Sequence, residues 1–270
     1  MNVRLLKESM SFEGRFSSWG CGFSSALKCT GGTIRFLVRY TLRTPPLWIP
    51  LVLLGVLTLI FRLTDADLFL ARLFYRQGGS GSAFPLGYSQ PWLWLYHYGI
   101  YPAWIVGLGG LAVWLLAFSW KRVRPIRDEG LFLFLMLMLG PGVVVNCICK
   151  PYCGRPRPHL TREFGGEKDF LPVFTMGENL AGDCNSFPSG HASTGFYLMA
   201  PAFVLYQRRN GWAAFFLILG LAAGVTIGVA RMAAGGHFAS DVIWAGGVVY
   251  FTGLLLAGIF RFWEKRRKIE

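Results

Sequence analysis

The chain has 270 residues, 53% of them hydrophobic and 15% charged, with a mean hydropathy of +0.43. Soluble domains sit near about 45–50% apolar and about 25% charged, so the composition argues against a water-soluble globule. A formal net charge of +13 would suit a nucleic-acid binder, but its distribution along the chain gives it another meaning.

Residues 1–31 mix Ser, Gly, charged and aromatic residues ahead of any apolar run, so no cleavable signal peptide is read there. Arg35, Arg39 and Arg43 then recur at helical spacing beside Ile34, Leu37, Val38 and Leu42. This pattern fits an interfacial helix on an anionic leaflet and equally a basic lead-in to a first span. Apolar stretches suited to a bilayer core of roughly 30 Å follow. They are Pro46–Phe61, Tyr98–Trp120, Gly130–Cys149, Pro188–Tyr206, Trp212–Ala230 and Asp241–Phe260.

The predicted fold is therefore all-α, a polytopic six-transmembrane-helix bundle. Residues 1–45 form a tail, 46–262 the membrane domain and 263–270 a basic tail. Asp67–Arg76 is suited to lie flat on the membrane, and Gln77–Gly87 reads as a flexible loop. With six spans, the tails and the loops Lys121–Glu129 and Gln207–Gly211 share one side. Counting everything after the last span's end at Phe260, that side holds 18 of the 27 Lys and Arg but 6 of the 14 Asp and Glu. The excess of Lys and Arg marks the cytoplasmic side, so both termini are expected inside and no nucleic acid is needed to explain the charge.

Six cysteines show no metal-ligand spacing. Cys153 and Cys184 both fall on the outer side, where an oxidising compartment permits a disulfide between them.

Three polar clusters share that outer side. The first has Lys150, Arg155 and Arg157 among Pro151, Pro156 and Pro158, which deny the loop a regular helix. Arg offers a planar fork to phosphate oxygens and Lys a mobile charge. In the second, Pro188, Ser189, Gly190 and His191 open a span, where free backbone N–H groups make an anion site. In the third, His237 and Asp241 are four apart and share a helical face, with Arg231 adding a cation. A carboxylate on one imidazole nitrogen leaves the other free to attack. Taken singly, the clusters also fit snorkelling cations, a capped helix with an interfacial histidine, and an interfacial ion pair. Taken together, they fit phosphoryl transfer through a phosphohistidine, with no metal or other cofactor required.

The motifs Lys150-x6-Arg157-Pro158, Pro188-Ser189-Gly190-His191 and Arg231-x5-His237-x3-Asp241 resemble the three-part signature of the type 2 phosphatidic acid phosphatase superfamily. The resemblance runs from Lys150 to Asp241, with one departure: Ala230 stands where the family usually has Ser. It implies that His237 is the nucleophile, Asp241 orients it and His191 protonates the leaving group. It also implies that Lys150, Arg157, Arg231, Ser189 and the Gly190 amide hold the phosphoryl oxygens. The segment from Thr161 to Phe174, together with Cys184–Ser193 and Gly235–Val242, is similar to bacterial members acting on lipid A-type phosphates. The expected partner is thus a phosphorylated lipid in a bacterial inner membrane. Phosphatidylglycerophosphate and undecaprenyl diphosphate are alternative substrates, phosphotransfer to a second lipid an alternative reaction, and non-catalytic lipid binding or transport a reading from another class.

Overall fold

The computed structural model describes residues 45–77, 82–177, 184–206 and 211–267. The expected N-terminal interfacial helix, with Arg35, Arg39 and Arg43, lies outside the described residues, as do Cys21 and Cys29. The chain divides into Met1–Ile49 and Pro50–Glu270, and the following concerns the second unit.

Among the described residues the structure is helical, with a single isolated bridge, Thr161 to Lys168. The main helices are α1 (Pro45–Leu63), α2 (Ala66–Arg72), α3 (Trp92–Tyr98), α4 (Tyr101–Leu116), α5 (Arg127–Leu137), α6 (Lys150–Cys153), α7 (Gly190–Tyr197), α8 (Ala200–Leu205), α9 (Gly211–Ala233) and α10 (Ala239–Arg267). A π-helical stretch, Met138–Cys149, joins α5 to α6.

Among the described residues, four segments are long and apolar enough to cross a membrane: Trp92–Leu116, Arg124–Leu160, Gly211–Ala233 and Ala239–Phe260. A fifth candidate is the pair formed by Leu47–Leu63 and Ala66–Arg72, bent by 80°. The expected span Pro188–Tyr206 is split instead into α7 and α8. The break falls at Leu198–Met199, with Pro201 in the first turn of α8, a position proline favours because its missing N–H is not needed there. Large apolar side chains stay exposed on the outer helix faces, among them Leu63, Ile105, Ile218 and Leu255. Lipid tails are as apolar as these side chains, so a bundle in a bilayer need not bury them.

Polar interiors are closed by specific bonds. The proline at 141 removes a helical donor, and Asn146 Nδ2 donates to the Pro141 carbonyl at 2.6 Å within the widened turns. Tyr197 donates to the Leu133 carbonyl at 2.8 Å, and Trp244 Nε1 donates to Thr58 Oγ1 at 3.0 Å, tying α7 to α5 and α10 to α1. The core between them holds Phe132, Met136, Phe196, Tyr197 and Val249. A second, smaller core of Leu68, Ala71, Phe84, Phe164 and Phe238 lies where α2 and the long loops meet the start of α10.

The prolines of the first cluster do not exclude helix altogether. Pro151 is accommodated in the first turn of α6. The helix stops at Gly154, whose φ of 58° is left-handed and where a Cβ would come within 2.7 Å of the Gly177 carbonyl oxygen. Arg155 and Arg157 therefore follow on a turned, non-α segment.

Candidate active site

The third motif is shaped by how α9 ends. Gly235 takes φ 62°, Gly236 N donates to the Arg231 carbonyl at 2.9 Å and Gly235 N to that of Met232 at 2.9 Å. This paired closure is a Schellman motif, which turns the chain at once from Arg231 to His237. α10 then begins at Ala239, and Asp241 Oδ2 accepts from Phe238 N at 2.8 Å. That reach from the third helical residue back to the cap is one half of a capping box.

Backbone bonds stitch the motifs together. Ser186 N donates to the Arg155 carbonyl at 3.0 Å, Ser189 N to the Asp241 carbonyl at 3.1 Å, and His159 N to the Gly235 carbonyl at 3.2 Å. Ser189 caps α7, accepting from Ala192 N at 3.4 Å. Gly190 is pressed against the first motif: a Cβ there would meet Asn146 Oδ1 at 2.9 Å and Lys150 Nζ at 3.0 Å. The Lys150 ammonium therefore lies against the opening of α7.

His237 is buried, and its Nδ1 is 2.6 Å from the Ser186 carbonyl oxygen. A carbonyl only accepts, so Nδ1 carries the proton and the neutral ring presents an unprotonated Nε2. Asp241 Oδ2 is 3.7 Å from Nδ1, beyond a hydrogen bond. The carboxylate acts one step removed: Oδ2 accepts from Ser186 Oγ at 2.6 Å, and Ser186 in turn holds the histidine. Burial pushes the His237 pKa down to about 4, with Asp241 pulling it partly back.

The cations surround this histidine and His191. Lys150, Arg157, Arg231 and His237 all act electrostatically on His191, and Lys150 and Arg231 act on His237. Arg157 Nη2 donates to Asn185 Oδ1 at 2.7 Å, while its Nε is buried without a partner. Arg231 Nε is likewise buried and unpartnered. Its guanidinium lies 4.5 Å from the centre of the Tyr96 ring, on which the His191 ring stacks at 4.9 Å and 21°. Buried polar groups are normally satisfied, so two orphaned guanidinium donors in one cationic cluster suit an oxyanion.

The structure thus brings Lys150, Arg157, Ser189, Gly190, His191, Arg231, His237 and Asp241 into one cluster. The cysteine pairing is not made: Cys153 and Cys184 are free thiols, and Cys184 Sγ accepts from Lys168 Nζ at 2.8 Å.

Two participants, Tyr96 and Asp67, had no role in the sequence reading, and a third, Arg155, was grouped there with the cations facing phosphate. Tyr96 lies on α3, ahead of the predicted start of its span at Tyr98. Asp67 and Arg155 form a buried network with Asp241. Arg155 donates from Nη1 to Asp241 Oδ1 at 2.5 Å and to Ser240 Oγ at 2.8 Å, from Nη2 to Asp67 Oδ2 at 2.8 Å, and from Nε to the Leu171 carbonyl at 2.8 Å. Asp67 also accepts from Ser240 N at 2.9 Å and Ser240 Oγ at 2.6 Å. The available signal for Asp67 was a carboxylate opening the apolar run of α2, two residues after Asp65.

Fold and site together define a helical membrane protein with two histidines in one cation-lined cluster. The chain belongs to the PAP2 superfamily, whose family model matches residues 129–268. It is 41% identical over 126 residues to the lipid A 4'-phosphatase of Francisella tularensis subsp. novicida (strain U112), a match covering 47% of this chain and 55% of that relative. The lipid A 4'-phosphatases of Rhizobium leguminosarum and Rhizobium etli are 35% and 34% identical over 123 residues, covering 44% of this chain and 50% and 46% of theirs. The chain spans about half the length of the curated relatives it matches. No solved structure matches it.

Proposed function

We propose that the protein is a metal-independent phosphatase that removes phosphate from a membrane lipid headgroup at the outer face of a bacterial inner membrane. The substrate class is lipid A-type, as the names of the relatives suggest. The proposed topology has six crossings, the termini in the cytoplasm and the site on the opposite side, in line with the charge distribution.

One observation carries the chemistry: His237 is held with Nε2 unprotonated near Lys150 and Arg231, Arg157 joins them around His191, and Arg157 and Arg231 each keep a buried donor without a partner. In the first step Nε2 attacks phosphorus and the bond from phosphorus to the lipid oxygen breaks. The proton for that oxygen comes from His191. In the second step water attacks the phosphohistidine, gives a proton back to His191 and releases inorganic phosphate. The cations and the amides at the start of α7 stabilise charge on the phosphoryl oxygens. Asp241 acts on the nucleophile through Ser186.

The test is phosphate release from lipid A, phosphatidylglycerophosphate, undecaprenyl diphosphate and phosphatidic acid, with and without a chelator. Lipid A should be the best substrate and the chelator without effect. His237→Ala should abolish turnover and the acid-labile phosphoenzyme trapped from labelled substrate. Wild-type turnover in that variant sinks the mechanism, and preference for another lipid corrects the substrate.

A further inference from the structure

We infer that Arg155 and Asp67 are positioning residues of this reaction: they clamp Asp241 from behind and so fix the imidazole that attacks phosphorus. The inference rests on the reading of His237 as nucleophile.

Arg155 is not a phosphate ligand. It is 1% exposed, and its donors are directed to Leu171, Ser240, Asp241 and Asp67. Its guanidinium also lies 4.6 Å from the centre of the Phe238 ring and 5.6 Å from that of Phe170, two rings that meet edge to face at 5.1 Å. Two residues further on, Arg157 keeps an unpartnered Nε within the cationic cluster. Neighbouring arginines thus serve opposite faces of one site.

The clamp reaches His237 through a short chain of groups. Asp67 and Asp241 take the two Nη atoms of one guanidinium, and Ser240 bonds to both Arg155 and Asp67. With Oδ1 held by Arg155, Oδ2 of Asp241 is set to accept from Ser186 and Phe238 N. Ser186 and Phe238 are the two groups that place His237, one by accepting from Nδ1 and one by following it in the chain. Planar bidentate geometry is what a guanidinium supplies and an ammonium does not. Asp67 enters from α2, so the 80° bend between α1 and α2 delivers part of the catalytic support. A small displacement of a reacting group costs rate far more than binding.

The decisive variant is Asp67→Asn with Arg155→Gln. It removes one negative and one positive charge, so the net charge of the buried cluster does not change. The wild type, this double variant, Arg155→Lys and His237→Ala are purified in detergent and assayed for lipid phosphate release. The double variant and Arg155→Lys should lose about 10–100-fold in kcat, with KM changed less than about threefold, because the phosphate ligands are untouched. Wild-type kcat in a folded variant, or a raised KM with kcat intact, overturns the inference. If the double variant does not fold, Arg155→Lys decides by the same criterion. Activity in His237→Ala defeats the underlying mechanism, whereas an inactive His237→Ala beside a fully active double variant defeats only the clamp.

Discussion

Behind His237, the polar atoms of Arg155, Asp67, Asp241 and Ser240 form a closed network away from solvent. In front of it, Lys150, Arg157, Arg231 and His191 crowd like charges together, and two guanidinium Nε atoms have no partner. The two regions have similar residue types and opposite bookkeeping of hydrogen bonds. A satisfied network resists rearrangement, while an unsatisfied one gains on taking up an anion. The difference separates residues that hold the site from residues that use it, a distinction that residue type alone does not make.

The same substitution at two arginines should break the symmetry most visibly. Arg155→Ala leaves two buried carboxylates facing each other without their cation, and it should destabilise the fold by about 3–5 kcal/mol. Arg157→Ala relieves crowding among cations and should change stability by less than about 1 kcal/mol while nearly abolishing turnover. Thermal unfolding in detergent, set beside phosphate release, reads both. Equal destabilisation by the two variants would erase the division into a holding side and a working side.

His191→Ala should come next, with a loss of about 10²–10⁴-fold on lipid substrates, the range for a positioned general acid. The loss should shrink on an aryl phosphate, whose leaving group needs no proton. Equal losses on both substrates would move His191 from proton donor to simple phosphate contact. Its stacking on Tyr96, which also faces Arg231, gives it a fixed direction that either role requires. Arg157→Lys keeps the charge but not the fork and should cost about 10-fold in kcat/KM. A wild-type rate there would mean that the site reads only charge.

The working side was legible in the sequence because its residues lie in three short motifs with fixed spacing. Asp241 is placed by the first turn of α10 and the Pro-Ser-Gly-His run by the start of α7, whereas His237 lies on the turn ahead of α10 and not on a helical face shared with Asp241. The holding side was not legible. Asp67 and Arg155 are 88 residues apart, and a segment suited to lie flat after the first span does not say that Asp67 meets Arg155. Arg155 read as one more cation beside Lys150 and Arg157, since burial cannot be seen in a run of cations and prolines. The long helices were legible from hydropathy, but the division of Pro188–Tyr206 into α7 and α8 follows from a break at Leu198–Met199 for which Pro201 was the only local sign.

The smallest expected effect tests the boundary between the two sides, where His237 sits. A nucleophilic imidazole works when neutral, so activity is present above its pKa and lost as pH falls through it. For His237 that value lies at about 4, because burial disfavours the imidazolium. Between pH 5 and pH 8 the neutral fraction should therefore change by only about a tenth, whereas an ordinary histidine near 6.5 would lose about thirtyfold at pH 5. The profile of kcat/KM, which reports the free enzyme, should accordingly carry no acid limb from His237 near pH 6–7. An acid limb near pH 6–7 that does not move when the second pKa of the substrate phosphate, about 6, is changed would belong to His237. It would mean that solvent reaches the imidazole, and that the network behind it is less closed than its hydrogen bonds imply.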